Sequence, residues 1–205
     1  MRSIKKLVYL FPQRLVHALI GVSCILLYIT AKMAFLFYQN GQVRHIIWII
    51  HIAFGYLLIF SLIGRFILFF TGPQYSKISE LIKIREWVDY FKYHKIVWKW
   101  GHHPLASIGY IGLYICLIYM SYSGIFLVRI IFDYGPISEK YFDQVLLIEN
   151  FLEMHDLLSL CILIFTTLHI GALFWHQQND QHPIFKSMWN GYQFKKMEGI
   201  NEKNE

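Results

Sequence analysis

Apolar residues run through the chain in four long stretches, at about residues 14–37, 45–70, 105–131 and 148–175. Each stretch exceeds the roughly 20 helical residues that cross the hydrocarbon core of a membrane. Backbone amides that face lipid satisfy their hydrogen bonds only in helices or closed barrels, and the alternating pattern of barrel strands is absent. The pattern therefore predicts an all-α bundle of four transmembrane helices, forming a single membrane domain over residues 1–205.

Composition agrees with a membrane protein. Of the 205 residues, 56% are apolar, 18% are aromatic and only 16% are charged, which is too few charged residues for a soluble domain of this length. The net charge of +6 comes from basic residues that flank the apolar stretches, so we expect contact with anionic membrane lipid and no binding of nucleic acid. No CxxCH motif occurs, which excludes a covalently attached c-type heme.

The distribution of Lys and Arg predicts the orientation of the bundle. Of the 19 basic residues, all but four lie in three regions. These regions are the N-terminal segment, the connection 72–104 and the tail 176–205. Arg65, which lies just before the connection, is counted with it. The positive-inside rule therefore places both termini, the connection and the tail in the cytoplasm. Acidic residues collect on the opposite side. A cleaved signal peptide over the first stretch is the alternative, but Pro12, Arg14 and His17 interrupt its start.

The connection 72–104 mixes basic with aromatic residues, among them Trp87 and Trp98. Such a mixture is typical of an amphipathic segment lying in the headgroup region of the membrane. A solvated loop with aromatic residues at the interface is the other interpretation for its first half, and both stay open.

Four of the ten histidines lie within the apolar stretches, namely His17, His51, His155 and His169. Ionisable side chains at membrane depth are costly and mark functional positions, although a single histidine could simply bond a neighbouring helix. His155 and His169 are fourteen residues apart, which places them within about 40° of one helix face and about 21 Å apart along the axis. One therefore lies in each leaflet.

The predicted orientation sorts these histidines into two pairs matched in depth, His17 with His169 near the cytoplasm and His51 with His155 near the other surface. Facing imidazoles at one depth are the axial ligands of a bis-histidine heme, so the sequence predicts two b hemes. Gly21 and Gly55 follow His17 and His51 by four residues, on the same helix face. They leave room for a flat macrocycle or serve helix packing alone.

Other uses of the histidines are less compatible with the pattern. A zinc or nickel transporter would gather carboxylates and histidines near the midplane, and a proton relay would place ionisable groups between the two pairs. Of the remaining histidines, His102 and His103 precede the third stretch and could donate to a quinone headgroup or cap the helix. We expect interfacial or solvated roles for the others, His45, His94, His176 and His182.

Nearly the whole chain resembles the b-type cytochrome subunits of membrane-bound nickel-iron hydrogenases. The resemblance lies in RLVHALIG, HIAFGYLLIFSLIGRF, GHHPLASIGY and MHDLLSLCILIFTTLHIGALFWH, one in each stretch, and in PIFKSMWNGYQ in the tail. Formate dehydrogenase cytochrome subunits and small diheme quinone-linked cytochromes share the histidine frame, whereas the third and last segments favour hydrogenase. The family usually has GHNPL, with Asn in place of His103, so the departure affects the quinone site and leaves the heme ligands as they are.

The resemblance implies an electron-transfer subunit of the bacterial inner membrane, without a hydrogen-activating site of its own. A periplasmic nickel-iron hydrogenase of large and small subunits would deliver electrons through iron–sulfur clusters to the heme of His51 and His155. The heme of His17 and His169 would pass them to menaquinone or ubiquinone. The alternatives are a subunit of formate dehydrogenase or a similar molybdoenzyme, a stand-alone quinone-linked cytochrome, and a membrane anchor without redox function.

Overall fold

The structure, a computed structural model, describes residues 3–93, 104–132, 145–179 and 184–196. Its elements in chain order are β1 (Ser3–Leu7), α1 (Phe11–Leu36), α2 (Gly41–Thr71), α3 (Ile84–Tyr93), α4 (Pro104–Phe132), α5 (Val145–Asn179), α6 (Ile184–Asn190) and β2 (Tyr192–Lys196), with 3-10 turns at Gln74–Ser76 and Ile78–Glu80. The helices α1, α2, α4 and α5 are each long and apolar enough to cross a membrane. The predicted bundle of four transmembrane helices is thereby confirmed.

Local sequence signals set the ends of the first two long helices. Pro12 lies in the first turn of α1, where its missing N–H costs no helical hydrogen bond. The Asn40 side chain caps α2 by accepting a hydrogen bond from the Val43 N–H at 3.1 Å, a typical N-cap contact. At the other end of α2, the Gly72 N–H donates to the Leu68 carbonyl. The short connection 37–40 joins α1 and α2 into an antiparallel helical hairpin.

An apolar layer fills the middle of the bundle. Its buried members are Leu58, Leu62, Leu117 and Ile162 from α2, α4 and α5, and Ile162 lies seven residues from both His155 and His169. Large apolar side chains point outward along all four helices, and only 6% to 22% of each spanning window is buried inside the protein. Such an exterior is stable in lipid and would be unstable in water.

A short antiparallel sheet joins the two terminal segments of the chain. β1 pairs with β2 in a register that runs from Ser3 opposite Lys196 to Leu7 opposite Tyr192. The Gly191 carbonyl then accepts hydrogen bonds from the N–H groups of Val8 and Tyr9, at 2.9 and 3.0 Å. The sheet was not predicted from the sequence. It places both terminal segments at one end of the bundle, which we call the terminal end; the opposite end is the distal end.

Further contacts at the terminal end tie α1 to later parts of the chain. The Gln13 side chain donates to the Tyr75 carbonyl at 3.4 Å, and the Arg14 guanidinium donates to the Trp189 carbonyl. The Tyr9 hydroxyl accepts from the Gln193 amide at 3.1 Å, and burial raises the pKa of this phenol. Tyr9 therefore stays neutral, as a buried group in this position must.

Helix α3 lies in the middle of the connection 72–104, and its first turn falls in the half for which the sequence left two interpretations open. Ile84, Val88 and Phe91 are exposed together, and their spacing of four and three residues places them on one helix face. Lys83, just before the helix, pairs with Glu80 at 2.7 Å. An apolar face beside charged flanks favours the interfacial interpretation, although whether α3 lies on lipid stays a prediction.

We predict that Gly191→Ala destabilises the terminal end. Gly191 has a φ of 84°, which L-residues adopt at a cost of about 1–3 kcal/mol, and a Cβ would collide with the Tyr9 carbonyl. Thermal unfolding in detergent should begin at a lower temperature for this variant than for the parent. Gly41→Ala is the control, because a Cβ at Gly41 has no described atom within 4 Å. Equal unfolding temperatures for the two variants would contradict the role given to Gly191.

Candidate functional site

The four membrane histidines lie at two levels of the bundle. His17 of α1 and His169 of α5 are near the terminal end and form what we call the terminal pair. His51 of α2 and His155 of α5 are toward the distal end and form the distal pair. The fourteen-residue spacing of His155 and His169 separates the levels by about 21 Å along α5. The structure thus brings together the same partners that the depth matching predicted.

The distal pair borders a cavity of about 700 Å³ between the four long helices. This volume is within the range of pockets that hold cofactors and other small ligands, about 300–1,000 Å³. His51 and His155 both line it and are close enough to interact electrostatically. Most of the wall is apolar, and Gly55 and Gly124 contribute parts of it that carry no side chain. The cavity therefore offers an apolar slot with imidazoles on two of its helices.

Hydrogen bonds orient both rings of the distal pair. His51 Nδ1 lies 3.1 Å from the Leu27 carbonyl and 3.0 Å from the Thr30 hydroxyl. Because a carbonyl only accepts, Nδ1 carries the proton and Nε2 keeps a lone pair.

His155 is oriented in the same way. Its Nδ1 lies 2.8 Å from the Ser123 hydroxyl, which itself donates to the Met120 carbonyl, so the ring nitrogen is again the donor. Metal-binding histidines typically have their second nitrogen engaged like this. The pair therefore fits a metal centre that takes two neutral imidazoles through Nε2.

The terminal pair is oriented by ring contacts. The rings of His17 and His169 have centroids 6.2 Å apart and planes inclined by 53°. Two imidazoles that bind one metal ion from opposite sides, through bonds of about 2 Å, have centroids roughly 6 Å apart. His169 stacks on Phe165 at 6.1 Å and meets the edge of Tyr110 at 5.8 Å. The separation is thus suitable for a shared metal.

Gly21 and Gly55 lie beside open space. A Cβ at either position would have no described atom within 4 Å, so close helix packing does not require these glycines. In contrast, a Cβ at Gly109 would approach Phe165 to 3.2 Å. His17 itself is exposed and the other three histidines are half-buried. This surrounding space favours the macrocycle interpretation of both glycines over the packing interpretation.

Several site residues were missed from the sequence. Thr30 and Ser123 look like ordinary small helix residues, because only the folded bundle shows that they face histidines of other helices. Arg65 lies within the predicted stretch 45–70, but its charge was counted with the connection. The structure places it inside α2, six residues before the helix ends at Thr71, and shows that it is only 7% exposed, which the sequence did not predict.

Two acidic residues also lie closer to the site than expected. Glu153 and Asp156 line the distal cavity, because α5 begins at Val145 and carries them on its early turns. Within the described residues, however, no three His, Cys, Asp or Glu side chains gather into a cluster that could hold a metal ion. The part of the bundle that is described thus shows two histidines at each level, without a ring of carboxylates.

The remaining histidines lie apart from the two pairs or outside the description. His102 and His103, the predicted quinone residues, fall outside the described residues, as do His94 and His182. His45 is exposed in the early turns of α2, in agreement with an interfacial position. The His176 side chain also lies outside the description.

Comparison with known proteins identifies a family. A family model described as prokaryotic cytochrome b561 matches residues 8–191, which includes all four long helices and both histidine pairs. No curated protein and no solved structure matches the chain.

We predict that Ser123→Ala weakens cofactor binding at the distal pair. Loss of the hydroxyl leaves His155 Nδ1 without its acceptor, and removal of such a partner typically lowers metal affinity about tenfold to a hundredfold. Transfer of heme from the purified variant to excess apo-myoglobin should be correspondingly faster than transfer from the parent. Ser121→Ala is the control, since Ser121 lines the same cavity but donates to the Leu117 carbonyl. Equal transfer rates in both variants would refute the orienting role of Ser123.

Proposed function

Because the chain belongs to the prokaryotic cytochrome b561 family, we propose that it holds two b hemes and passes electrons across the membrane from a hydrogenase to quinone. Family membership makes it a multi-pass bacterial membrane protein of the heme b electron-transfer type. What we propose beyond family membership is the number of hemes, the electron donor and the electron acceptor. The observation that carries it is the presence of two histidine pairs at two levels of one bundle.

The two pairs are proposed to supply the four axial ligands. At the distal level, His51 and His155 would bind through Nε2, with Thr30, Leu27 and Ser123 holding the rings. At the terminal level, His17 and His169 would bind, with Tyr110 and Phe165 positioning His169. Bound iron porphyrin supplies a one-electron couple in each leaflet. Gly21 and Gly55 leave the adjacent helix surface flat.

The apolar layer between the levels favours electron movement over proton movement. Leu58, Leu62, Leu117 and Ile162 fill this layer, and none of these side chains can bind or release a proton. Electron transfer between the levels moves charge through the membrane, worth about 2.3 kcal/mol per electron for each 100 mV of potential. If the terminal end faces the cytoplasm, as the basic residues predict, protons for quinone reduction come from that side and the step conserves energy.

A periplasmic nickel-iron hydrogenase is the proposed electron donor. The segments GHHPLASIGY and PIFKSMWNGYQ support this choice, together with the family membership of the whole chain. In this arrangement the iron–sulfur subunit docks near the distal pair, while menaquinone or ubiquinone is reduced near the terminal pair. His102 and His103 are the proposed donors to the quinone headgroup, because they immediately precede α4 at the terminal end.

We predict that His155→Ala removes one heme and leaves the other. A pyridine hemochrome assay on the purified protein should find about half of the parental heme per chain, because the terminal pair does not include His155. His45→Ala is the control, as this exposed histidine of α2 belongs to neither pair, and it should keep the full content. Full heme content in His155→Ala would eliminate the proposed ligand pairing, and heme-free parent protein would favour a non-redox anchor.

The donor can be identified in native membranes. We expect a tagged form of the chain to co-purify with nickel-iron hydrogenase subunits, and hydrogen gas to reduce its hemes in those membranes, as seen in the visible spectrum. Added quinone should then reoxidise them. Recovery of a molybdenum formate dehydrogenase, with reduction by formate and none by hydrogen, would overturn the hydrogenase assignment. Reduction by quinol alone, without any co-purifying enzyme, would identify a stand-alone cytochrome.

A further inference from the structure

Arg65 is a buried cation inside a membrane helix. It lies on the face of α2 that also carries His51, Leu58 and Leu62. From His51 to Arg65, successive members of this row are seven, four and three residues apart, and such spacings keep side chains on one face of a helix. Its side chain is 7% exposed. A charge at this depth is expensive unless an opposite charge or strong acceptors compensate it.

The described contacts of Arg65 supply only partial compensation. Its Nε donates to the Tyr114 hydroxyl at 3.0 Å, and its guanidinium carbon lies 4.5 Å from the centre of the Phe69 ring. Nη1 is buried and has no hydrogen-bond acceptor among the described residues. No carboxylate of the described residues forms an ion pair with Arg65. One donor nitrogen is therefore available to an anion.

The position of Arg65 indicates which anion. The guanidinium is close enough to His17 to interact with it electrostatically. Tyr114, its hydrogen-bond partner, lies one helical turn from Tyr110, whose ring contacts His169. Arg65 is thus at the level of the terminal pair, whereas Lys32 and Arg44 are the basic residues that line the distal cavity.

We propose that Arg65 binds a propionate carboxylate of the heme held by the terminal pair, donating through Nη1 while Tyr114 holds the guanidinium in place. This inference rests on the proposed function, because the propionates are present only if heme b is the ligand of the terminal pair. Charge-assisted hydrogen bonds between guanidinium and carboxylate are strong and directional. The pairing also satisfies the buried cation, which would otherwise destabilise the bundle.

The first experiment measures the midpoint potential of each heme by spectroelectrochemistry. Arg65→Gln should lower the potential of one heme and leave the other unchanged, because a nearby positive charge favours the reduced state. The shift should persist in a His155→Ala background, which retains only the terminal heme. Arg65→Lys, which keeps the charge, should stay near the parental value. In the His155→Ala background Arg44→Gln is the matched control, because Arg44 is a basic residue of α2 that lines the distal cavity, and its replacement should leave the potential of the terminal heme unchanged.

The second experiment separates carboxylate binding from a purely structural role. The apoprotein is reconstituted with heme or with heme dimethyl ester, which has no free carboxylates. The parent should bind heme at the terminal level roughly tenfold to a hundredfold more tightly than the ester, as expected for hydrogen bonds to a charged group. Arg65→Lys should retain most of this preference. Arg65→Gln should lose most of it, even if that variant binds less heme overall.

Three results would overturn the inference. Unchanged potentials in Arg65→Gln, or equal affinity of the parent for heme and its ester, would assign Arg65 to helix packing through Tyr114. An effect of Arg65→Gln that appears only in anionic lipid, and not in neutral detergent, would identify a lipid headgroup as the anion. A parent protein that binds no heme would instead refute the proposed function itself, so the two failures are distinguishable.

Discussion

The main constraint on this bundle is the cost of placing ionisable side chains in hydrocarbon. The four paired imidazoles and the buried guanidinium of Arg65 lie within helices whose outer surfaces are mostly apolar. Lipid supplies no hydrogen bonds, so each of these groups must be satisfied by another helix or by a bound ligand. The contacts of the histidines and of Arg65 follow from this requirement, and small polar side chains buried elsewhere in the spans, such as Ser61, can donate to a carbonyl of their own helix.

All four long helices contribute to each level, and their roles alternate. At the distal level α2 and α5 carry the histidines, while Thr30 of α1 and Ser123 of α4 hold the rings. At the terminal level α1 and α5 carry the histidines, while Arg65 of α2 and the tyrosines of α4 stand beside them. Helix α5 thus contributes to both pairs, and α1 and α2 exchange the roles of ligand and support. An apolar layer centred on Ile162 keeps the two levels apart, which suits transfer of electrons without transfer of protons.

Sequence patterns predicted the parts of the structure that depend on periodicity. Apolar stretches predicted the four helices. The fourteen-residue spacing of His155 and His169, together with the predicted direction of each helix, then matched His17 and His51 to their partners. Thr30 and Ser123 were not predictable, because their contacts depend on helix rotation, and hydroxyl side chains are common in membrane helices. Arg65 lies within the predicted stretch 45–70, but its burial was not predicted, because a charge in the last turns of an apolar stretch normally lies at the membrane surface. The β1–β2 sheet joins segments almost two hundred residues apart, for which a single sequence carries no local signal.

The central claim is that each level of the bundle holds one heme between two helices. Its most direct test is the heme-to-protein ratio of the purified, membrane-inserted parent chain, combined with low-temperature electron paramagnetic resonance of the oxidised form. The account predicts two hemes per chain, both low-spin with two axial imidazoles. Protein that inserts correctly but stays colourless when heme is plentiful, or that saturates at a single heme, would contradict it.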